Sequence, residues 1–245
     1  MHAHRVLTNL LYPPVCLLCH ARLSAPSLDL ACELVCDDCQ GAMVHSGRPL
    51  CTRCGVGLPG AFDAMMQCAS CRDTPLAFEM ARAPWRYAGA ARVAVQEFKY
   101  HRRWRLGRWL AQEMVVTARS SFPLEELTGV LPVPLYWLKQ RLKGYNPAEQ
   151  LACLVARSLE TPYVPGALRR ARWTGTQTRL SWHQRFRNVA RAFAAHPALV
   201  QDRSFLLIDD VLTSGATANA CAVALKEAGA RAVFVLTAAR TPSHD

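Results

Sequence analysis

The stretch that most limits what this chain can fold into runs from Phe205 to Thr217. Four apolar residues, Phe205 to Ile208, are followed by two adjacent carboxylates, Asp209 and Asp210, and then by Thr213-Ser214-Gly215-Ala216-Thr217. An apolar run bounded by charge predicts a strand buried on both faces, central in a parallel sheet. From about Thr217 to Ala228 small and apolar residues recur at helical spacing, and Gly229 supplies a stop signal. A second strand is expected in AVFVLTAA, from Ala232. Strand, loop, helix and strand in that order make an α/β crossover unit. Asp209 and Asp210 are then expected at the carboxyl end of a strand, where open α/β sheets bind ligands.

The loop chemistry is specific. Gly215 lets the backbone approach a ligand closely, and the first-turn amides of the helix point toward any anion placed there. Thr213, Ser214 and Thr217 add hydroxyl donors without bulk, completing a cradle for one phosphate. The acid pair would repel a phosphate beside it but suits vicinal hydroxyls or a hydrated Mg²⁺. A ligand with a phosphate at one end and sugar hydroxyls a few ångströms away satisfies both halves. A capped helix with two solvated aspartates is the plainer alternative, and it leaves the order of acids, hydroxyls and glycine unexplained. No G-x-x-x-x-G-K-[ST] loop occurs.

Nine of the eleven cysteines lie between Cys16 and Cys71, and eight of them form four C-x-x-C pairs: Cys16/Cys19, Cys36/Cys39, Cys51/Cys54 and Cys68/Cys71. Each pair can place two thiolates on one tetrahedral ion, and two pairs complete a closed, structural Cys₄ zinc site. Spacers of 16 and 13 residues between pairs fit zinc ribbons. Two consecutive ribbons, holding two zinc ions, are the expected arrangement; an interleaved cross-brace is the other. Disulfides fit less well, since the cysteine total is odd and the N-terminus lacks the long apolar region of a secretory signal. Cys32 is a spare or substitute ligand, and Cys153 and Cys221, in small-apolar helical contexts, are expected in the core. Gly55-Val-Gly57-Leu-Pro-Gly60 matches G-x-G-x-x-G only formally, because it follows a metal ligand; Gly55 suits the positive φ of a knuckle turn.

After Cys71 the cysteines thin out and amphipathic segments begin, placing a boundary near residue 75: a ribbon domain over 1–75 and an α/β domain over 76–245. No apolar run approaches the roughly 18 residues that span a bilayer, and a cytoplasmic location is expected. A net charge of +11 favours anionic partners without choosing among them. Seven arginines and no acid lie between Thr161 and Gln201, interleaved with Trp173, Trp182 and Phe186. A second basic and aromatic stretch, FKYHRRWRLGRW, spans Phe98 to Trp109. Alternating cations and aromatic rings suit single-stranded nucleic acid; an amphipathic helix with a solvated basic face is the competing reading. Farther on, VLPVPLYWLKQRLKGYNPAEQLA predicts a short strand, a constrained turn, a basic loop and a helix from Pro147 capped by Asn146.

LLIDDVLTSGAT resembles the phosphoribosyl-pyrophosphate (PRPP) loop of type I phosphoribosyltransferases. That likeness implies a parallel sheet flanked by helices. It also implies that Asp209 and Asp210 hold ribose hydroxyls, that Thr213, Ser214, Gly215, Ala216 and Thr217 hold the 5-phosphate, and that Mg²⁺ accompanies PRPP. Tandem ribbons, FKY, PVPL, KGYNPAEQLA and this loop together resemble the ComF family of competence-associated proteins over essentially the whole chain. In that resemblance Lys99, Arg141, Lys143 and Arg185 lie toward the pyrophosphate. Gln177, Leu180, Arg185 and Asn188 match the family's basic segment. Members typically read RGFNQA where this chain has KGYNPA, so the resemblance carries over no polar contact from that glutamine. The implied role is PRPP binding in DNA uptake, with single-stranded DNA and competence helicase or recombination proteins as partners, and with turnover left open. A nucleobase-salvage or amido-type phosphoribosyltransferase is the alternative.

Overall fold

The computed structural model describes residues 14–23, 34–47, 49–60, 66–74, 76–101, 103–137, 141, 144–174 and 182–242. A five-stranded sheet forms the centre. Its strands are β1 (Met80–Arg82), β2 (Trp85–Arg86), β3 (Gly129–Pro132), β6 (Ser204–Leu212) and β7 (Ala232–Arg240), in the order β1-β7-β6-β3, with β2 also on β7. All four pairings are parallel. β4 (Leu168–Arg170) and β5 (Phe193–Ala195) form a separate antiparallel pair.

The apolar run at Phe205 is central as expected, between β3 and β7, and its residues are fully buried. Successive side chains of a strand point to opposite faces, and β6 uses this to build two cores. Leu206 and Ile208 join one with the helices α1 (Gly89–His101), α2 (Trp104–Ser121) and α3 (Pro147–Ser158). Phe205 and Leu207 join the other with α5 (Ala216–Glu227). A further helix, α4 (Trp182–Val189), precedes β5.

Cys221 is buried in the second core, but Cys153 is exposed, contrary to the expectation above. Leu151, Ala152, Val155 and Ala156 make the buried stripe of α3, and position 153 falls on the opposite side of the helix.

Each ribbon packs on a different face. Cys16, Leu34, Val35 and Met43 belong to the first core, whereas Cys51, Cys54, Val56 and Cys71 belong to the second. The two ribbons thus straddle the β1/β2 edge. An edge strand presents unpaired amides and carbonyls that would template aggregation; here Ala81 N–H donates to Arg53 O and Arg86 N–H to Val44 O.

Candidate phosphate site and metal centres

The two ribbons repeat one local design. Val15 bridges Arg22 across the first knuckle as Leu50 bridges Gly57 across the second. Each knuckle turns through positive φ, at His20 (61°) and Gly55 (69°). Cys36 and Cys68 each precede a short helical turn, with nearly identical backbone angles. The cysteines gather sequentially: Cys16, Cys19, Cys36 and Cys39 in one cluster, and Cys51, Cys54, Cys68 and Cys71 in the other, with the sulfurs of each cluster all within 4.8 Å of one another. The interleaved cross-brace is therefore ruled out. Sulfur pairs at 3.6 Å (Cys19 to Cys36) and 3.7 Å (Cys54 to Cys68) match the edge, about 3.8 Å, of a tetrahedron with Zn–S near 2.3 Å. Backbone amides of Leu18 and Cys36 donate to Cys16 Sγ, and that of Cys68 to Cys51 Sγ, which favours thiolates. Both four-sulfur sets fit structural zinc. Cys32 lies outside the described residues.

Only the first ribbon's knuckle tolerates a side chain at its left-handed position. A Cβ on Gly55 would stand 2.5 Å from Ala81 O, so the second knuckle lies flush against β1. Arg82 reaches back from β1 to Cys51 O (3.4 Å) and Thr52 O (3.2 Å).

At the sheet's carboxyl edge, β6 continues four residues past its apolar run, to Leu212. Asp209 pairs with Thr237, and Leu212 with Arg240, so both carboxylates are strand residues and point to opposite faces. Asp210, 6 % exposed, turns toward α1, where its Oδ2 meets Lys99 Nζ at 2.6 Å. Burial opposes the ammonium charge, but Asp210 and then Asp209 outweigh it and hold Lys99 above its ordinary pKa. Asp209 faces the other side, within electrostatic reach of Arg170 and of the Cys221 thiol. Burial and then the charge of Asp210 push the Asp209 carboxyl up to about 7, against the pull of Lys99, the Asp210 amide and Arg170. That amide donates to Asp209 Oδ1 at 2.8 Å.

Gly215 then adopts φ 79° and starts α5. Ser214 Oγ accepts from Ala216 N–H (3.3 Å), and Gly215 O from Asn219 N–H (2.8 Å). Asn219 Oδ1 in turn accepts from Ala77 N–H at 2.7 Å, tying the helix start to the entry of β1. Thr213, Ser214, Gly215, Ala216 and Thr217 together form a glycine-started helix N-terminus at the carboxyl edge of a parallel strand, a geometry that binds anions.

Of the residues expected toward the pyrophosphate, Lys99 lies at the acid pair. Arg141 is exposed, 5.7 Å from the Trp137 ring centre. Arg185 is on α4, and Lys143 lies outside the described residues, as do Gln177 and Leu180. Tyr136 and Trp173 meet edge to face at 5.4 Å, and Trp137 and Trp173 are 55 % and 46 % exposed. Phe98 to Trp109 divides: Trp109 is buried and stacks on Trp85 at 4.8 Å, as the amphipathic reading expects, while Tyr100 and Trp104 are exposed. No signal in the sequence marked Arg240. It ends β7 with 9 % of its surface exposed and donates to backbone carbonyls from both the loop and the second ribbon.

Among the described residues no helix is long and apolar enough to cross a membrane. A family model described as a double zinc ribbon domain matches residues 7–73. Competence protein F of Haemophilus influenzae is 27 % identical over 87 % of this chain and 93 % of its own length. The DNA utilization protein YhgH of Escherichia coli K12 is 29 % identical, and that of Salmonella typhimurium 30 %; each match covers 94 % of this chain and 98 % of the relative. Among solved structures, a glutamine PRPP amidotransferase from B. subtilis aligns at 25 % identity and a TM-score of 0.34, over 53 % of this chain and 24 % of that one. Near-complete coverage of both chains, at up to 30 % identity, places the chain in the family of competence protein F and the DNA utilization protein YhgH.

Proposed function

We propose that the protein binds PRPP, with Mg²⁺, at the loop following β6 and acts in handling DNA taken up by the cell. The observation that carries the reading is the junction of β6 and α5. There Asp209 and Asp210 lead, through Val211 to Ser214, into a left-handed Gly215 and a helix start flanked by hydroxyls. In this reading Thr213 to Thr217 hold the 5-phosphate and the two aspartates hold the ribose hydroxyls. Opposed strand faces do not suit direct chelation of one ion by both carboxylates. Mg²⁺ would arrive on the ligand's own phosphates and hydroxyls, as is usual for this ion, with Asp210 exchanging Lys99 for the ligand. Lys99, Arg141, Lys143 and Arg185 are the cations available to the pyrophosphate. We divide the chain at residue 75, the ribbons forming residues 1–75 and the phosphoribosyltransferase-like part residues 76–245.

The names of the relatives, a competence protein and DNA utilization proteins, support the DNA setting. Exposed Trp137, beside Arg141, and exposed Trp173, both against Tyr136, offer single-stranded DNA a stacking surface. Calorimetric titration of PRPP with Mg²⁺ tests the ligand. Binding to the wild type and none to Asp209→Asn/Asp210→Asn is the expected result; equal affinity in the two proteins would remove the loop reading. Pyrophosphate release in the same mixture would add turnover.

A further inference from the structure

Arg240 joins two centres that lie far apart in sequence. Its Nε donates to Cys54 O at 3.3 Å and its Nη2 to Cys54 Sγ at 3.7 Å, on the second metal site. Its Nη1 donates to Leu212 O at 3.2 Å and to Thr213 O, at the entrance of the phosphate loop. Thr241 completes the joint: its N–H donates to Leu212 O at 3.0 Å, and its carbonyl and hydroxyl accept from the same guanidinium at 2.9 and 3.1 Å. The planar guanidinium points donors two ways, Nε and Nη2 toward Cys54 and the two Nη1 hydrogens, shared among Leu212, Thr213 and Thr241, toward the loop; the single ammonium of a lysine does not cover both sides. Zinc on four thiolates leaves a net negative cluster, so the loaded site attracts Arg240 as well as fixing the Cys54 carbonyl. The first ribbon has no such link to the loop among the described residues. Its ties to the α/β part lie elsewhere: Arg103 Nη1 donates to Leu17 O at 2.8 Å from the start of α2, and Arg86 N–H donates to Val44 O at 2.7 Å on β2.

We propose that Arg240 is a positioning residue for the phosphate loop, and that the second Cys₄ site, not the first, sets the affinity of that loop for a ribose phosphomonoester. This rests on the reading of the loop given above. Release of Arg240 leaves the Thr213 carbonyl without its charged donor and lets the turn into Gly215 vary. The phosphate then pays for ordering amides that were ordered beforehand. The two metal centres are thus unequal: both hold ribbons together, and one also pre-forms a ligand site.

The test uses the full-length, zinc-loaded protein with PRPP and ribose 5-phosphate as probes. Arg240→Met is expected to weaken both ligands about tenfold or more, the scale of one lost charged hydrogen bond. It should keep two zinc ions per chain and speed hydrogen exchange at residues 213–217 but not in the middle of β7. Arg240→Lys is expected to rescue little, having one ammonium for two sites. Cys54→Ser should lose affinity together with one zinc, whereas Cys19→Ser should lose one zinc and keep affinity. This second pair decides the matter should Arg240→Met fold poorly. Affinity in Arg240→Met within twofold of the wild type, or equal losses in the two cysteine variants, overturns the coupling alone. A wild type that binds neither ligand overturns the coupling and the loop reading together.

Discussion

Asp209 and Asp210 are neighbours in sequence with different tasks. Asp210 is neutralised by Lys99 at 2.6 Å, so a ligand hydroxyl must displace an ammonium to reach it. Asp209 has no comparably close cation among the described residues, and burial beside Asp210 raises its pKa from 3.8 to about 7. Between about pH 4 and pH 7 the folded protein therefore holds a proton at Asp209 that the unfolded chain has released. This raised pKa costs stability progressively as pH climbs from about 4 toward 7. Its effect on the ligand has the opposite sign, because a neutral carboxyl accepts hydroxyl hydrogen bonds poorly and attracts no cation. We expect the affinity for Mg²⁺–PRPP to rise from pH 6 to pH 8, by up to about tenfold per unit below the pKa and levelling above it. Calorimetry on Asp209→Asn at the same pH values provides the control for titration of the ligand's own phosphates. A slope preserved in that variant would assign the pH dependence to the ligand.

At the scale of elements, what could be read from sequence was what local physics decides. The crossover from Phe205 to Arg240 was legible because its apolar runs are long and Gly229 ends the helix at φ 93°. Asn146 was legible as a cap, and its Oδ1 does accept from Ala148 N–H at 3.2 Å. Its Nδ2 also donates to Val133 O at 3.1 Å, a contact between elements that no spacing announces. Removing that side chain should cost about 2 kcal/mol, from a lost cap plus a carbonyl left unpaired in the interior. Urea unfolding of Asn146→Ala against wild type measures it, and a change within error would mean that water replaces both bonds. Longer-range features were not legible. β6 runs on through Asp209 to Leu212 because β7 supplies partners as far as Arg240, although charge in the sequence suggested an end at Ile208. β1 and β2 are three and two residues long on either side of Pro84, too short for any periodicity. Lys99 meets Asp210 only through the packing of α1 on the sheet, and Arg240 reads in sequence as a strand terminus and nothing more.

Across the whole molecule, the sheet separates two helical layers, the ribbons close one edge, and the carboxyl edge carries the loop from Thr213 to Thr217. A net charge of +11 is far more than one phosphorylated ligand needs. Arg105, Arg108, Arg141, Arg169, Arg187 and Arg191 are all exposed, while Arg82 and Arg240 are spent on carbonyls of the second ribbon and the loop. A polyanion is the partner that uses many dispersed cations at once, since each phosphate neutralised releases a condensed counterion. Affinity for a single-stranded oligonucleotide should therefore fall steeply with salt, with a log–log slope of about −0.7 for every phosphate contact. Charge and stacking are separable in such an experiment. Arg141→Ala should make the slope shallower by about one contact. Trp137→Ala and Trp173→Ala should each weaken binding by roughly 1–3 kcal/mol at every salt concentration and leave the slope unchanged. Fluorescence anisotropy across a salt series reads both effects. A flat salt response in the wild type would mean that these arginines serve another partner, whereas a steep slope indifferent to both tryptophans would place the strand on the basic surface away from the Trp137–Trp173 platform.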